Sequence, residues 1–326
     1  MNLFTRLRAL LVIALIAASV ARPAAADPAK HLRIGFQKIG LLLVLKGQHA
    51  LEQRFAAEGI DVSWVEFPSG PPLVEALNAG SIDIGYVGDT PPIFAQASGV
   101  NFVYVASLPV PGQSSGIVVR DGAGITSLAD LRGKKIAVTK GSSAQNVLVQ
   151  VLAKAGVAYA DVQPVYLQPP DAGAALRSGS VDAWSIWDPF FALAEKYPGV
   201  HTLTTARGVA PSNAFFIASR AFATQNPGVV AAFVDTAQKL DPWIHTHQAD
   251  VAQVSADASG VDLETEKVAV ARGNYDVHYV TPDVVKQEQA IADTFAKLGL
   301  LPQPVVVSAN VWSPPGRKLA DNAPAR

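Results

Sequence analysis

The strongest constraint on the fold is a segment that occurs twice in the chain. Residues 76–89 and 175–188 share six identities at one offset of 99 residues, and two further positions exchange isoleucine and valine. A weaker repeat lies upstream of each copy, where 34–38 resembles 136–140. Each copy has the pattern of a helix, a strand and the start of the next helix. Two copies of such a unit, without further ones, predict two similar lobes with a ligand cleft between them.

The first 26 residues have the pattern of a secretory signal peptide. Arg6 and Arg8 form a basic n-region, residues 10–20 form an apolar run too short to span a bilayer, and 24–26 supply an A-x-A cleavage site. The absence of cysteine from the chain removes the acceptor for a lipid anchor and fits a bacterial periplasmic protein. We therefore expect a periplasmic protein that is exported through a cleavable signal peptide and carries no lipid anchor.

Charge and motifs exclude several classes of function. Without the leader, 23 basic residues face 27 acidic ones, a net charge near −4 that does not attract nucleic acid or an anionic membrane. The G-x-S-x-G match at 112–116 precedes a strand instead of a helix, so it does not fit a nucleophile elbow. His245 and His247 lack further ligands at metal spacing, and no G-x-G-x-x-G or P-loop occurs. We expect no catalytic residues, no metal and no cofactor.

Strand and helix signals alternate from residue 32 to about 200, which predicts mainly parallel sheets with helices on both faces. Residues 41–57 predict one helix, 213–219 a strand that returns the chain, and 225–299 mostly helix. The predicted organisation is α/β, with two doubly wound lobes. Lobe I comprises residues 30–112 and 220–312, lobe II comprises 113–219, and 313–326 form a flexible tail. Two crossings between the lobes form a hinge that closes on a ligand.

Ligands of open parallel sheets bind at the carboxyl ends of strands, over the N-termini of helices. The junctions at 37–40, 88–90, 140–143 and 187–188 are of this kind. In the third, Gly141 allows close backbone approach, and the Ser142 and Ser143 hydroxyls and free helix N–H groups suit an anion. The alternative, that Ser142 only caps the helix, stays open.

Two pairs of residues at these junctions have competing interpretations. Asp89 and Asp188 repel an anion, so helix capping or hydrogen bonding at the hinge is favoured over direct ligand contact. Trp184 and Trp187 lie three residues apart at the end of a strand. We expect one of them in the core, and the other is a candidate apolar wall for the ligand tail.

The segments 65–71, 75–97, 140–143 and 184–189 resemble the aliphatic-sulfonate-binding proteins of bacterial ABC importers, relatives of the binders of taurine, nitrate and thiamine precursors. The resemblance extends over about residues 31–312. It implies a type II periplasmic binding fold, a small organosulfonate held between the lobes, and delivery to an inner-membrane permease with a separate ATPase. Together with the junctions it predicts these ligand-binding residues: Gln37, Gly88, Asp89, Thr90, Gly141, Ser142, Ser143, Trp187 and Asp188.

Other functions on the same fold remain open at this point. The ligand could instead be taurine, a sulfate ester, an aromatic sulfonate or nitrate, and the protein could report the ligand to a membrane receptor as a sensor. A desulfinase of this fold resembles these binders but uses a cysteine nucleophile, which this chain lacks. We expect a monomeric binding protein and no enzyme.

Overall fold

The computed structural model describes residues 29–209 and 211–319. The predicted signal peptide, 1–26, and the end of the predicted tail, 320–326, lie outside the described residues. None of the helices within the described ranges is long and apolar enough to cross a membrane.

Strands and helices alternate through the first two thirds of the described chain, and helices dominate the last third. The strands are β1 His31–Phe36, β2 Asp61–Glu66, β3 Ile84–Val87, β4 Phe102–Val110, β5 Ser115–Arg120, β6 Lys135–Val138, β7 Gln163–Tyr166, β8 Ala183–Trp187, β9 Val200–Thr205, β10 Ser212–Ser219 and β11 His278–Tyr279. The helices are α1 Leu41–Gly47, α2 Ala50–Ala56, α3 Gly70–Asn78, α4 Thr90–Ala97, α5 Ser143–Lys154, α6 Pro169–Ser178, α7 Phe190–Ala194, α8 Arg220–Gln225, α9 Pro227–Thr246, α10 Gln248–Ser259, α11 Leu263–Arg272 and α12 Pro282–Lys297.

The strands form two sheets. The first has the order β11-β4-β10-β3-β1-β2 and the second the order β7-β6-β8-β5-β9. Strands β3, β1 and β2 are parallel, as are β7, β6 and β8, whereas the remaining pairings are antiparallel. The prediction of mainly parallel sheets is therefore wrong for about half of each sheet. A strand that enters from the other sheet starts where its neighbours end, and it runs against them.

The internal repeat has a direct structural counterpart. The first copy folds into α3, β3 and the start of α4, and the second into α6, β8 and the turn before α7. The shared aspartates act alike. Asp83 accepts a hydrogen bond from the backbone N–H of Arg33 at 2.9 Å, and Asp182 accepts one from the backbone N–H of Lys135, also at 2.9 Å. Each aspartate thus ties its own strand to the central strand of its sheet.

Strand β10 corrects one predicted boundary. Residues 212–219 were expected at the end of lobe II, but β10 pairs with β3 and β4 of the first sheet. The reason is packing on both faces of that sheet. Phe216 contacts Phe233 at 5.2 Å between ring centroids, and Phe215 contacts Tyr104 on the opposite face at 4.9 Å. Otherwise the division into lobes stays a prediction.

The single helix predicted over 41–57 is broken into α1 and α2. His49 adopts a left-handed conformation with φ of 53° between them. Helix α10 crosses here, and a Cβ atom at Gly47 would lie only 2.2 Å from the Cγ1 atom of Val254. Contact with a helix two hundred residues away therefore interrupts a pattern that is locally helical.

Candidate functional site

A cavity lies between the two sheets, where strands β1 and β3 of the first and β6 and β8 of the second end. Its empty volume is about 1060 Å³, including the part open to solvent. That exceeds the space needed by a bare inorganic anion and suits a small organic ligand. Six of the nine predicted site residues line it: Gln37, Gly88, Ser142, Ser143, Trp187 and Asp188. Asp89, Thr90 and Gly141 are not among the lining residues.

The start of helix α5 presents hydrogen-bond donors to the cavity. Within the described chain, the backbone N–H groups of Ser143 and Ala144 have no acceptor, as the geometry of a helix N-terminus dictates. The Ser143 hydroxyl is also unpaired there, whereas the Ser142 hydroxyl donates to the backbone oxygen of Thr139 at 2.7 Å. Only one of the two predicted hydroxyl donors is therefore available. These donors and the helix dipole favour an anion.

Glycine at position 88 lets the two sheets approach each other at this point. A Cβ atom at Gly88 would lie 2.8 Å from both the Cβ and the Oγ atoms of Ser143. No side chain tolerates such a contact without moving the helix. The end of β3 and the start of α5 are thus packed backbone against side chain at the floor of the cavity.

Gln37 is fixed in place by the neighbouring strand. Its side chain is buried and its Nε2 atom donates to the backbone oxygen of Tyr86 at 2.9 Å. The amide nitrogen carries two hydrogens, so a second one remains for a ligand. The position that follows β1 therefore supplies a neutral donor to the same cavity.

The two lysines beside these junctions do not line the cavity. Lys38 pairs with Glu66 at 3.8 Å, and Lys140 lies over the ring of Tyr166 at 5.7 Å from its centroid. Any anion in the cavity is therefore held by neutral donors and by the helix dipole. A charged lysine is not part of the described wall.

Asp89 lies behind the wall and connects three parts of the fold. Its carboxylate accepts hydrogen bonds from Thr90 Oγ1 at 2.7 Å, Asn146 Nδ2 at 2.8 Å and Ser212 Oγ at 2.7 Å. Burial raises the pKa of this carboxyl, and the donors oppose that change. Asp89 therefore joins the end of β3, helix α5 and the start of β10, which is the hydrogen-bonding role weighed above.

Asp188 occupies the equivalent place in the second copy but faces the cavity. Its Oδ1 atom accepts the backbone N–H of Ala192 at 2.9 Å and lies 3.5 Å from Arg272. Its Oδ2 atom is buried and has no hydrogen-bond partner among the described residues. Burial raises the pKa of Asp188 to about 7, although the Arg272 guanidinium lowers it. One carboxylate oxygen is thus left for whatever enters the cavity.

The sequence reasoning missed the wall formed by helix α11 and the loop after it. Glu266 and Tyr275 line the cavity, and both are buried. Arg272 at the end of α11 reaches Glu195 at 2.7 Å and lies over the ring of Phe191. These residues follow no strand, so the strand-to-helix pattern could not find them. Glu266 has the local pattern of an ordinary solvated helix glutamate.

The two tryptophans separate as expected. Trp184 is 1% exposed and lies in the core of the second sheet, whereas Trp187 is 8% exposed and lines the cavity. The alternation of side chains along β8 explains the difference, together with its end at residue 187. Trp187 thus supplies apolar surface next to Asp188.

Metal chemistry has no support in this region. A group of three or more His, Cys, Asp or Glu side chains arranged to hold a metal ion is absent from residues 29–209 and 211–319. The His245 imidazole instead pairs with Asp241 at 3.1 Å on the surface of α9.

Comparison with known proteins gives a consistent set of relatives. The family model "NMT1/THI5 like" matches residues 54–251. The alkanesulfonate-binding protein SsuA of Xanthomonas axonopodis pv. citri, solved bound to MOPS, is 39% identical, with a TM-score of 0.83 over 88% of this chain and 99% of that one. The periplasmic aliphatic sulphonate binding protein SsuA of Escherichia coli is 35% identical, with a TM-score of 0.79 over 91% and 97%.

A more distant structural neighbour is an enzyme. The desulfurization enzyme DSZB is 19% identical, with a TM-score of 0.61 over 86% of this chain and 96% of that one. At this identity the likeness establishes a common fold and carries no statement about activity.

Proposed function

The chain belongs to the NMT1/THI5-like family and, within it, to the aliphatic-sulfonate-binding proteins, and from this premise we propose that it captures a small organosulfonate for a bacterial ABC importer. A sulfonate spreads one negative charge over three oxygens, each of which accepts hydrogen bonds. The observation that carries the proposal is the start of α5, where the unpaired N–H and hydroxyl of Ser143 face the cavity. Charge-assisted hydrogen bonds of this kind are the strong ones.

The proposed mechanism is closure of two lobes around the ligand. One lobe carries the six-stranded sheet and the other the five-stranded sheet, and the chain passes between them after β4 and again before β10. Gly88 and Ser143 belong to different lobes in this scheme, as do Asp89 and Asn146. Closing brings these pairs together and completes the anion site, so ligand binding and closure stabilise each other.

We propose that the apolar part of the ligand lies along Trp187. Its indole ring and Val147 give the cavity an apolar wall beside the donors of α5. Nitrate has no tail to use such a wall, so a rise of affinity with chain length separates an organosulfonate from nitrate. Taurine, a sulfate ester and an aromatic sulfonate remain rival ligands, and sensing in place of import remains a rival role.

The proposal includes a periplasmic, monomeric protein that delivers its ligand to an inner-membrane permease and its separate ATPase. It also includes the absence of enzymatic activity, since binding requires no general acid or base. Neighbouring genes for a permease and an ATPase would support import over sensing.

The test is a thermal-shift titration of ligand-stripped protein. Alkane-1-sulfonates of increasing length, sulfate and nitrate are compared at equal ionic strength. A ligand present at a hundred times its dissociation constant adds about 2.7 kcal/mol to the free energy of unfolding, a rise of several degrees in Tm. A shift with sulfonates that grows with length supports the proposal. A shift with nitrate or sulfate alone, or with none of these ligands, overturns it.

A further inference from the structure

The cavity is acidic at the end away from α5. Among its described lining residues there is no Lys, Arg or His, and the two that carry a charge are Asp188 and Glu266. Both are about 3% exposed. A wall of this sign opposes a ligand whose only charge is a sulfonate.

The two copies of the internal repeat allow a comparison within one molecule. Asp89 and Asp188 are equivalent residues at the ends of β3 and β8, and both are almost fully buried. Asp89 receives three side-chain hydrogen bonds. Asp188 receives none of comparable length from a side chain, and its Oδ2 atom has no partner in the described part of the chain. Since buried carboxylates are ordinarily paired, the missing donor at Asp188 is a property of the cavity.

The one nearby cation does not fill this gap. Arg272 lies 3.5 Å from Asp188 Oδ1 but 2.7 Å from Glu195, so its guanidinium is bound more closely to the glutamate. The carboxylates of Glu195 and Glu266 also act on Asp188 and raise its pKa. Three carboxylates therefore share one guanidinium at this end of the cavity.

We propose that the ligand is a zwitterionic sulfonate, whose tail carries a protonated amine that donates to the Oδ2 atom of Asp188. The inference deepens the proposed function and rests on it. The sulfonate lies at the start of α5, and the ammonium lies at the acidic end beside Trp187. The opposite charges of the ligand then match the two ends of the cavity, which fixes the direction of binding.

An ammonium fits this position better than a neutral donor does. A hydroxyl or a bound water would satisfy the hydrogen bond to Oδ2 but leave the excess negative charge of Asp188, Glu195 and Glu266 in place. An ammonium supplies both the donor and the charge. A hydrogen bond between charged groups contributes more than one between neutral groups.

The test compares two ligands that differ by one group. In 3-aminopropane-1-sulfonate the terminal group is an ammonium, and in butane-1-sulfonate it is a methyl of similar size at the same position. Calorimetric titration at pH 8 keeps both Asp188 and the amine charged. The same comparison is made for the pairs one methylene shorter and one longer. We expect the amine to bind about 10- to 100-fold more tightly in at least one pair.

Two variants assign the preference to one side chain. Asp188→Asn retains the shape and an acceptor for Ala192, and we expect it to abolish the preference for the amine. Glu195→Gln removes a charge from the same cluster at a residue that does not line the cavity, and we expect it to retain the preference.

Each result decides between the claims. If wild-type protein binds both ligands of every pair equally, or prefers the methyl, the proposed function stands and the ammonium site is wrong. That result would assign the free oxygen of Asp188 to a bound water. If wild-type protein binds neither ligand, the proposed function itself is wrong. Should Asp188→Asn fail to fold, the comparison in wild-type protein still decides.

Discussion

The raised pKa of Asp188 makes a quantitative prediction about stability in the absence of ligand. Its pKa is about 7, compared with 3.8 for an ordinary aspartate, mainly because of burial, with Arg272 opposing the shift and Glu195 and Glu266 adding to it. A carboxyl whose pKa is higher in the folded state takes up a proton on folding. Its contribution to stability is therefore complete below about pH 4 and is lost as the pH rises to about 7.

Replacing Asp188 with asparagine removes this titration. Between pH 5 and pH 8 the wild-type protein loses stability over two pH units, at about 1.4 kcal/mol per unit, or about 3 kcal/mol in all. The Asp188→Asn protein does not suffer this loss. The difference in unfolding free energy, variant minus wild type, should therefore become about 3 kcal/mol more positive between pH 5 and pH 8.

Urea denaturation of both ligand-stripped proteins at the two pH values measures this difference. The other buried carboxyls with raised pKa, Asp89, Glu266 and Glu288, are common to both proteins and largely cancel. An equal difference at pH 5 and pH 8 would refute the reasoning, since it would mean that Asp188 is already ionised at pH 5.

Three further predictions concern the binding of a simple alkanesulfonate, measured by calorimetry. Ser143→Ala removes the one free hydroxyl at the start of α5 and should weaken binding by about tenfold or more, because a hydrogen bond to a charged group is lost. Gly88→Ala places a Cβ atom 2.8 Å from Ser143 and should weaken binding by about tenfold or more, because α5 must move away. Trp187→Ala should flatten the rise of affinity with chain length, because the apolar wall is removed.

Matched variants control for general damage. Ser142→Ala should have a smaller effect than Ser143→Ala, since the Ser142 hydroxyl is already bound to Thr139. Gly228→Ala should leave binding unchanged, since a Cβ atom at Gly228 has no neighbour within 4 Å among the described atoms. Equal losses in either pair would contradict the assigned geometry. For Trp187→Ala, a loss that is the same at every chain length would contradict contact with the tail.

Local patterns predicted the parts of the site that follow strands. The repeat, the glycines and the hydroxyls after β6 identify positions at the carboxyl ends of parallel strands, and this rule depends only on the order of elements. Gln37, Gly88 and Ser143 were found in this way. The rule gives the place of a residue but not its partners. It could not show that the Ser142 hydroxyl bonds to its own loop or that Asp89 turns away from the cavity.

The remaining features depend on contacts between distant parts of the chain. Glu266 and Tyr275 reach the cavity because α11 packs across its opening, where Lys196 bonds to Asp262 and Thr265. The break between α1 and α2 likewise follows from contact with α10. Such contacts leave no periodic signal in the local sequence, since each residue has the pattern of an ordinary helix position.

The unlike fates of Asp89 and Asp188 could not be predicted for the same reason. Both end the same strand in the two copies of the repeat, and their local sequences are alike. Their difference comes from Asn146 and Ser212, which reach Asp89 from other elements.

A crystal structure of the complex with butane-1-sulfonate tests the central claim most directly. We expect the sulfonate between the two sheets, with its oxygens within about 3 Å of the backbone nitrogen and Oγ of Ser143 and its tail along Trp187. A sulfonate bound instead beside Arg272, or outside the cavity, would contradict the assignment of the anion site to the start of α5.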